Sequence, residues 1–266
     1  MNIVYTLADP SKNYTILADA ERSGIPFSFT ESEEGRALLV SLGQQLMAAE
    51  PLAEQAGFVF PSENTLYMAG GEFCGNAALS AAALLCRDYG AGNRVELHVS
   101  GNSEVCRVGL SLSDELYQCT LSLSCAPLGI RHFVKPCSEP LSEEERRLAE
   151  KEIIRFSRQQ GIDACGFLFL RDSGERSSAG APLLEMEPLV FVDSLDSLFW
   201  ESSCASGSMA ASADYCKAHP EQYGIPVSLK QPGGTITVLT RKDGSLDLKN
   251  TVRLSAPRSI NIEEKK

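Results

Sequence analysis

At 266 residues, with 43% hydrophobic and 22% charged residues, the chain can bury a sizeable core and is too apolar for intrinsic disorder, yet has no uninterrupted apolar run able to span a bilayer. A formal net charge of −11 and a pI near 4.9 oppose the basic face of a nucleic-acid binder and favour a small-molecule partner. Nine cysteines, an odd number without a Cys-x-x-Cys pair, argue against a disulfide framework, and His98, His132 and His219 stand too far apart for a closed zinc site, so most thiols should be small buried apolar groups in a reducing compartment.

The opening MNIVYTLADP has neither a basic n-region nor an apolar h-region with a cleavage site, so a cytoplasmic location is expected. NIVYTL (2–7) and NYTILA (13–18) predict strands. A helix follows from about Glu33 to Glu50, with Leu39, Leu42 and Leu46 as its apolar stripe and Pro51 as its stop. NTLYMA (64–69) predicts another strand, and GGEFCGNAALSAAALL (70–85) places Cys74 at the mouth of a helix made of small residues. After the strand RVELHV (94–99) comes SEEERRLAEKEIIRFSRQQG (142–161). It opens with Ser142 and Glu145 as a capping box, should turn Leu148, Ile153 and Phe156 inward, and ends at Gly161. RDSGERSSAGAPLLE (171–185) reads as a mobile surface loop. WESSCASGSMAASADY (200–215) repeats the thiol-and-small-residue pattern around Cys204, GTITVLT (234–240) predicts a strand, and the terminal EEKK should fray.

The resulting expectation is an α+β fold with mostly antiparallel strands, built from two copies of one unit. Cys74 and Cys204 lie about half the chain apart, each preceded by a glutamate, Glu72 or Glu201, and each followed twelve positions on by another cysteine, Cys86 or Cys216. A strand, a Gly-bearing turn and a strand then follow in both halves, VELHVSGNSEVCRV and VSLKQPGGTITVLT. The expected division is residues 1–122, with 255–266 returning to them, and 123–254. A site would lie between the two halves.

A cysteine just before a helix faces free amides and the positive end of the helix dipole, which favour thiolate and hold an anion such as a substrate carboxylate. Two such thiols on opposite faces of an α-amino acid form a racemase: one removes the α-proton and the other returns a proton to the far face. No cofactor is required in principle, and neither a Gly-x-Gly-x-x-Gly fingerprint nor a P-loop is present. The plainer readings are that both cysteines are core filler, or that they join as a disulfide in an oxidised, inactive form.

At these residues the chain resembles the diaminopimelate epimerase-like superfamily of cofactor-independent amino-acid racemases, and within it the histidine racemases of staphylopine-type metallophore biosynthesis. The resemblance is carried by EFCGNA (72–77), WESSCASGS (200–208) and QPGGTI (231–236), with support from PSKNYTIL and QQLMAAEPLAEQAGF. It implies two pseudo-symmetric domains, each a β-barrel-like sheet around a central helix, with Cys74 and Cys204 as the catalytic acid/base pair. It further implies that Gly75, Asn76, Ala205 and Ser206 hold the α-carboxylate and that Asn13, Glu54 and Glu201 line the substrate pocket, Glu54 suiting an imidazole or a cation. No metal or cofactor is implied, the partner is a small amino acid, and a homodimer is compatible.

Three departures bear on substrate choice. Ser202 follows Glu201 where diaminopimelate epimerases usually have Arg, which disfavours a distal anion. His132, in GIRHFV, stands where they have Gly-Asn-Pro-His. Ala205 replaces the glycine after the second cysteine, and would be strained if that position needs φ > 0. The expected activity is histidine racemisation supplying D-histidine to a metallophore. The alternatives are a diaminopimelate epimerase or racemase of another amino acid, and a degenerate relative that binds an amino acid without turning it over.

Overall fold

The computed structural model describes residues 1–125, 129–176 and 180–262. Its first half runs β1 (Asn2–Asp9), β2 (Thr15–Asp19), α1 (Glu33–Ala49), β3 (Gln55–Phe60), β4 (Thr65–Met68), α2 (Gly75–Tyr89), β5 (Arg94–Val99), β6 (Cys106–Ser113) and β7 (Leu116–Leu123). The second runs β8 (Arg131–Pro136), α3 (Glu143–Gln160), β9 (Ala164–Arg176), β10 (Pro182–Val192), β11 (Ser197–Trp200), α4 (Ala205–Ala218), β12 (Val227–Gln231), β13 (Gly234–Thr240) and β14 (Leu246–Leu254), before β15 (Arg258–Asn261) returns to pair with β1.

The two halves repeat one plan. A helix connects two parallel strands, as α1 joins β2 to β3 and α3 joins β8 to β9. The cysteine-led helix then crosses over to another parallel partner, α2 from β4 to β5 and α4 between β10 and β12. An antiparallel meander closes each unit, β5–β6–β7 and β12–β13–β14. The meanders join edge to edge where β7 pairs with β14. Helix crossovers are what parallel pairing demands, and small residues let these helices pass close beneath the strands.

Composition explains which helices sit inside. Every residue of α2 from Gly75 to Leu85 is buried, among them five alanines and three leucines, and the helix packs on strands of its own half and on β14. α1 shows the one-sided stripe expected of a covering helix. Leu39, Leu42 and Leu46 are at most 2% exposed, and Ser32 caps its start by accepting the Gly35 amide at 3.1 Å, an arrangement worth about 1 kcal/mol.

α3 has its capping box, but its inward face differs from the expectation. Leu148 is 58% exposed, while Ala149, Ile153 and Ser157 are buried and Phe156 packs alongside. A shift of one position turns the larger leucine to solvent because the narrow stripe follows Ala149–Ile153 along the helix. The anticipated loop at 171–185 is likewise mostly strand. β9 continues to Arg176 and β10 begins at Pro182, while 177–179 lie outside the described residues. Arg171 stands directly across from Glu185 and pairs with it, so charges that looked like loop composition are a cross-strand pair. EEKK also lies outside the described residues. Among the described residues no helix is long and apolar enough to cross a membrane.

Candidate active site

Cys74 is the N-cap of α2, with extended backbone angles φ −126° and ψ 114°. Its Sγ accepts the Ala77 amide at 3.3 Å, and its S–H donates to Gln55 Oε1 at 3.0 Å. Cys204 is the N-cap of α4 at φ −122° and ψ 108°, and its Sγ accepts the Gly207 amide at 3.3 Å. The Ser206 hydroxyl lies 3.6 Å from that sulfur. The Cys204 amide donates to Gln231 Oε1 at 2.7 Å, and Gln231 Nε2 in turn donates to Ser208 Oγ at 3.0 Å.

Both thiols line one enclosed cavity of about 30 Å³, together with Gln55, Asn76, Ala205, Ser206 and the carboxylates Glu54, Glu72 and Glu201. The two helix starts touch each other beside it. A Cβ placed on Gly75 would lie 2.9 Å from Ala205 Cβ and 3.6 Å from the Ser206 amide nitrogen. The first amides of a helix have no intrahelical acceptor, so those of Gly75, Asn76, Ala205 and Ser206 are free of helix bonding where the two helix starts come together. Ala205 is not strained, since it is absent from the residues with positive φ and begins α4 in ordinary helical form. Its methyl group is accommodated because the opposing position is Gly75.

Buried amide side chains bind the halves together. Asn76 Nδ2 donates to Asn13 Oδ1 at 3.0 Å and to the Ser203 carbonyl at 2.9 Å, while its Oδ1 accepts from Asn250 Nδ2 at 3.0 Å. Gln55 Nε2 donates to Asn13 Oδ1 and to Thr15 Oγ1. Asn13 therefore supports Gln55 and Asn76 rather than forming a turn alone, and it also donates to Glu54. Glu54 accepts from the Ser202 hydroxyl at 2.7 Å and the Ser202 amide at 3.2 Å. Its carboxylate, expected to await a cation, is already engaged across the cleft. The Ser202 carbonyl accepts from Gly233 at 2.7 Å, and Ser203 Oγ donates to the Pro10 carbonyl at 3.0 Å.

Burial dominates the electrostatics. It holds the Glu72 carboxyl up at about 7, and it raises Glu201 to about 8 with further help from the nearby charge of Glu54. Both thiols also lie well above their ordinary range, through burial first and the charge of Glu201 second. This reverses the expectation of depressed thiols. The single amide that reaches each sulfur does not offset the loss of solvent in the closed cavity.

His132, left without a role by the sequence, is placed beside the second thiol. Its Nε2 lies 2.9 Å from Ser206 Oγ, its buried Nδ1 has no partner, and burial lowers its pKa to about 4. Of the site residues read from the sequence, Cys74, Cys204, Glu54, Asn76, Glu201, Ala205 and Ser206 line the cavity, while Gly75 touches Ala205 and Asn13 bonds to Glu54 and Asn76 without lining it. Those missed are Gln55, Ser203, Gln231 and Asn250. Gln231 opens the QPGGTI stretch and Gln55 follows Glu54, so both stood inside quoted motifs. Asn250, in the middle of β14, carried no signal.

The family model described as Histidine racemase CntK N-terminal domain matches residues 2–134 and, a second time, residues 128–259. The chain belongs to this family. Two matches to one unit agree with the repeated strand–helix plan, and membership makes the chain one of the racemases and epimerases, a class of isomerases. A histidine racemase of Staphylococcus aureus is 24% identical over 94% of this chain and 93% of its own length, and one from Fusobacterium nucleatum is 26% identical over 76% of this chain and 77% of its own. Among solved structures, a predicted epimerase of Pseudomonas aeruginosa superposes with a TM-score of 0.63 at 14% identity, covering 98% of this chain and all of that one. A hydroxyproline epimerase of Agrobacterium vitis, with trans-4-hydroxy-L-proline bound, gives 0.61 at 11% identity, covering 99% and 94%. These likenesses establish a shared fold for this CntK-family chain.

Proposed function

We propose that this protein racemises free histidine by a two-base route through Cys74 and Cys204. The observation that supports the reading is that two helices, each capped by a cysteine, start beside one cavity that both thiols line. The two relatives described above, each named a histidine racemase, support histidine as the substrate. D-Histidine would then serve as a building block for a metallophore, a use that suits its amine, imidazole and carboxylate donors.

The substrate carboxylate sits against the amides of Gly75, Asn76, Ala205 and Ser206, and its ammonium sits against Glu201. The α-carbon is then flanked by the sulfurs. One thiolate takes the α-proton, and the C–H electron pair moves into the carboxylate, where fixed amides hold the enediolate charge. The opposing S–H gives its proton to the far face of the carbon, so the two sulfurs exchange protonation states as the stereocentre inverts.

A cavity of about 30 Å³ holds a water or two rather than an amino acid, so substrate enters when the halves part. Opening rehydrates the thiols and removes the burial that keeps them protonated. After closure, the incoming ammonium cancels the Glu201 charge that disfavours both thiolates. The Glu54–Ser202 contacts act as the latch of the closed form. A distal carboxylate, as in diaminopimelate, is disfavoured because the cavity lining contains three glutamates and no Lys, Arg or His.

The test is incubation of L-histidine with the protein in D2O. Deuterium should enter the α-position, and chiral chromatography should show approach to equal amounts of both enantiomers. An absence of exchange with histidine would refute the reading.

A further inference from the structure

Glu72 is 7% exposed, lines the cavity that holds both thiols, and has a carboxylate oxygen, Oε2, that is buried without a hydrogen-bond partner. Such an orphaned acceptor is costly unless a partner arrives from elsewhere. Nothing in the thiol chemistry above employs it.

Its surroundings indicate which part of a substrate it meets. A Cβ placed on Gly70 would lie 2.8 Å from Glu72 Oε2, 2.8 Å from Val192 Cγ1 and 3.2 Å from Leu195 Cδ1. The absence of a side chain at Gly70 lets Glu72 Oε2 pack close against that residue, beside two apolar side chains that also line the cavity. Glu201 is differently placed: its charge acts on both thiols, close to where the α-carbon must lie. Glu54 has its oxygens filled by Ser202 and Asn13. Glu72 combines a buried, unpartnered oxygen with an apolar wall, the pairing that a flat ring with a polar edge requires.

Charge balance points the same way. The α-carboxylate and α-ammonium of an amino acid cancel each other, and the cavity lining carries three glutamates with no basic residue. A side chain that brings an N–H or a positive charge relieves that imbalance, whereas an anionic one deepens it.

We propose that Glu72 is the substrate-selecting residue of this site, its free oxygen accepting a ring N–H from the substrate's basic side chain while Val192 and Leu195 pack on the ring. The assignment rests on the racemase reading and narrows it to side chains that donate an N–H, imidazole foremost. Carboxylate and imidazole share one proton in the closed complex, a charge-assisted contact.

The experiment measures α-deuterium exchange by the unmodified protein and by Glu72→Gln. Histidine, its two ring-N-methyl isomers and amino acids with neutral or acidic side chains are the substrates. The unmodified protein should exchange histidine and discriminate at least tenfold against one of the N-methyl isomers. Glu72→Gln should lower kcat/KM for histidine by about 10- to 100-fold, mainly through KM, and flatten the preference over neutral side chains. Retention of histidine kcat/KM and of the same rank order in a folded Glu72→Gln protein would overturn this assignment alone. Should that variant not fold, equal exchange of histidine and both N-methyl isomers by the unmodified protein would overturn it as well. A failure of the unmodified protein to exchange any amino acid would instead remove the racemase reading, and this inference with it.

Discussion

Cys74 and Cys204 have nearly the same backbone angles, and each receives the third amide of its helix at 3.3 Å, yet their neighbours differ in kind. Cys74 is partly accessible and donates to a neutral amide, Gln55. Cys204 is 3% exposed and is surrounded by groups that can carry or relay protons: Glu201, Ser206 and, behind Ser206, His132. Duplication preserved the backbone that presents a sulfur to the cavity, while the side chains behind each sulfur diverged. The proposed two-base route asks for a proton-transferring group on each face of the substrate but not for identical surroundings.

The sharpest way to break the comparison is to remove one thiol at a time. Cys74→Ser and Cys204→Ser should each lower racemisation by about 10²- to 10⁴-fold, the usual contribution of a positioned acid or base. Each variant should retain α-deuterium exchange for one enantiomer only, and for opposite enantiomers in the two variants. Loss of exchange from the same enantiomer in both would mean that the sulfurs do not flank the carbon.

Next in size is the contact between the helix starts. Gly75→Ala brings a methyl group to 2.9 Å from Ala205 Cβ, which should cost about 1–3 kcal/mol of stability and spread the converging amides. Ala205→Gly in the same chain should restore most of the loss, a coupling that a double-mutant cycle by denaturant unfolding would measure.

Ser202→Ala removes the hydroxyl that donates to Glu54 at 2.7 Å and should weaken the latch by about 1 kcal/mol. The expected readout is a KM raised about fivefold, at a kcat that changes less.

The mildest effect is the response of stability to pH. Glu72 and Glu201 rise from 4.5 to about 7 and about 8 on folding. Between these limits the native protein retains protons that the unfolded chain has released. These two groups therefore contribute stability that is fully present below pH 4.5 and is lost as pH rises through 7 and 8. The Tm of the ligand-free protein should fall over that range, and Glu201→Gln should flatten the decline. An unchanged slope in that variant would place the titration elsewhere.

Much of this arrangement was legible in the chain. Small residues after Cys74 and Cys204 signal helices that must pass close to other backbone, and the leucines at 39, 42 and 46 mark a covering helix. Ser142 and Glu145 mark a helix start because their side chains bond to backbone only a few positions away. Long-range charge pairing was less visible, so Arg171 and Glu185 resembled loop residues until β9 and β10 were set in register.

What the sequence determined by itself is the repeated unit, the two thiols and the amide-rich helix starts beneath them, all consequences of contacts within a few residues. Only the tertiary structure decided that Gly75 faces Ala205, that Asn250 holds Asn76, that Glu54 is bound to Ser202 and that Glu72 is left with a free oxygen. It also decided the direction in which the thiols titrate. Desolvation depends on what encloses a group from every side, and most of the atoms that enclose Cys74 and Cys204 come from distant parts of the chain.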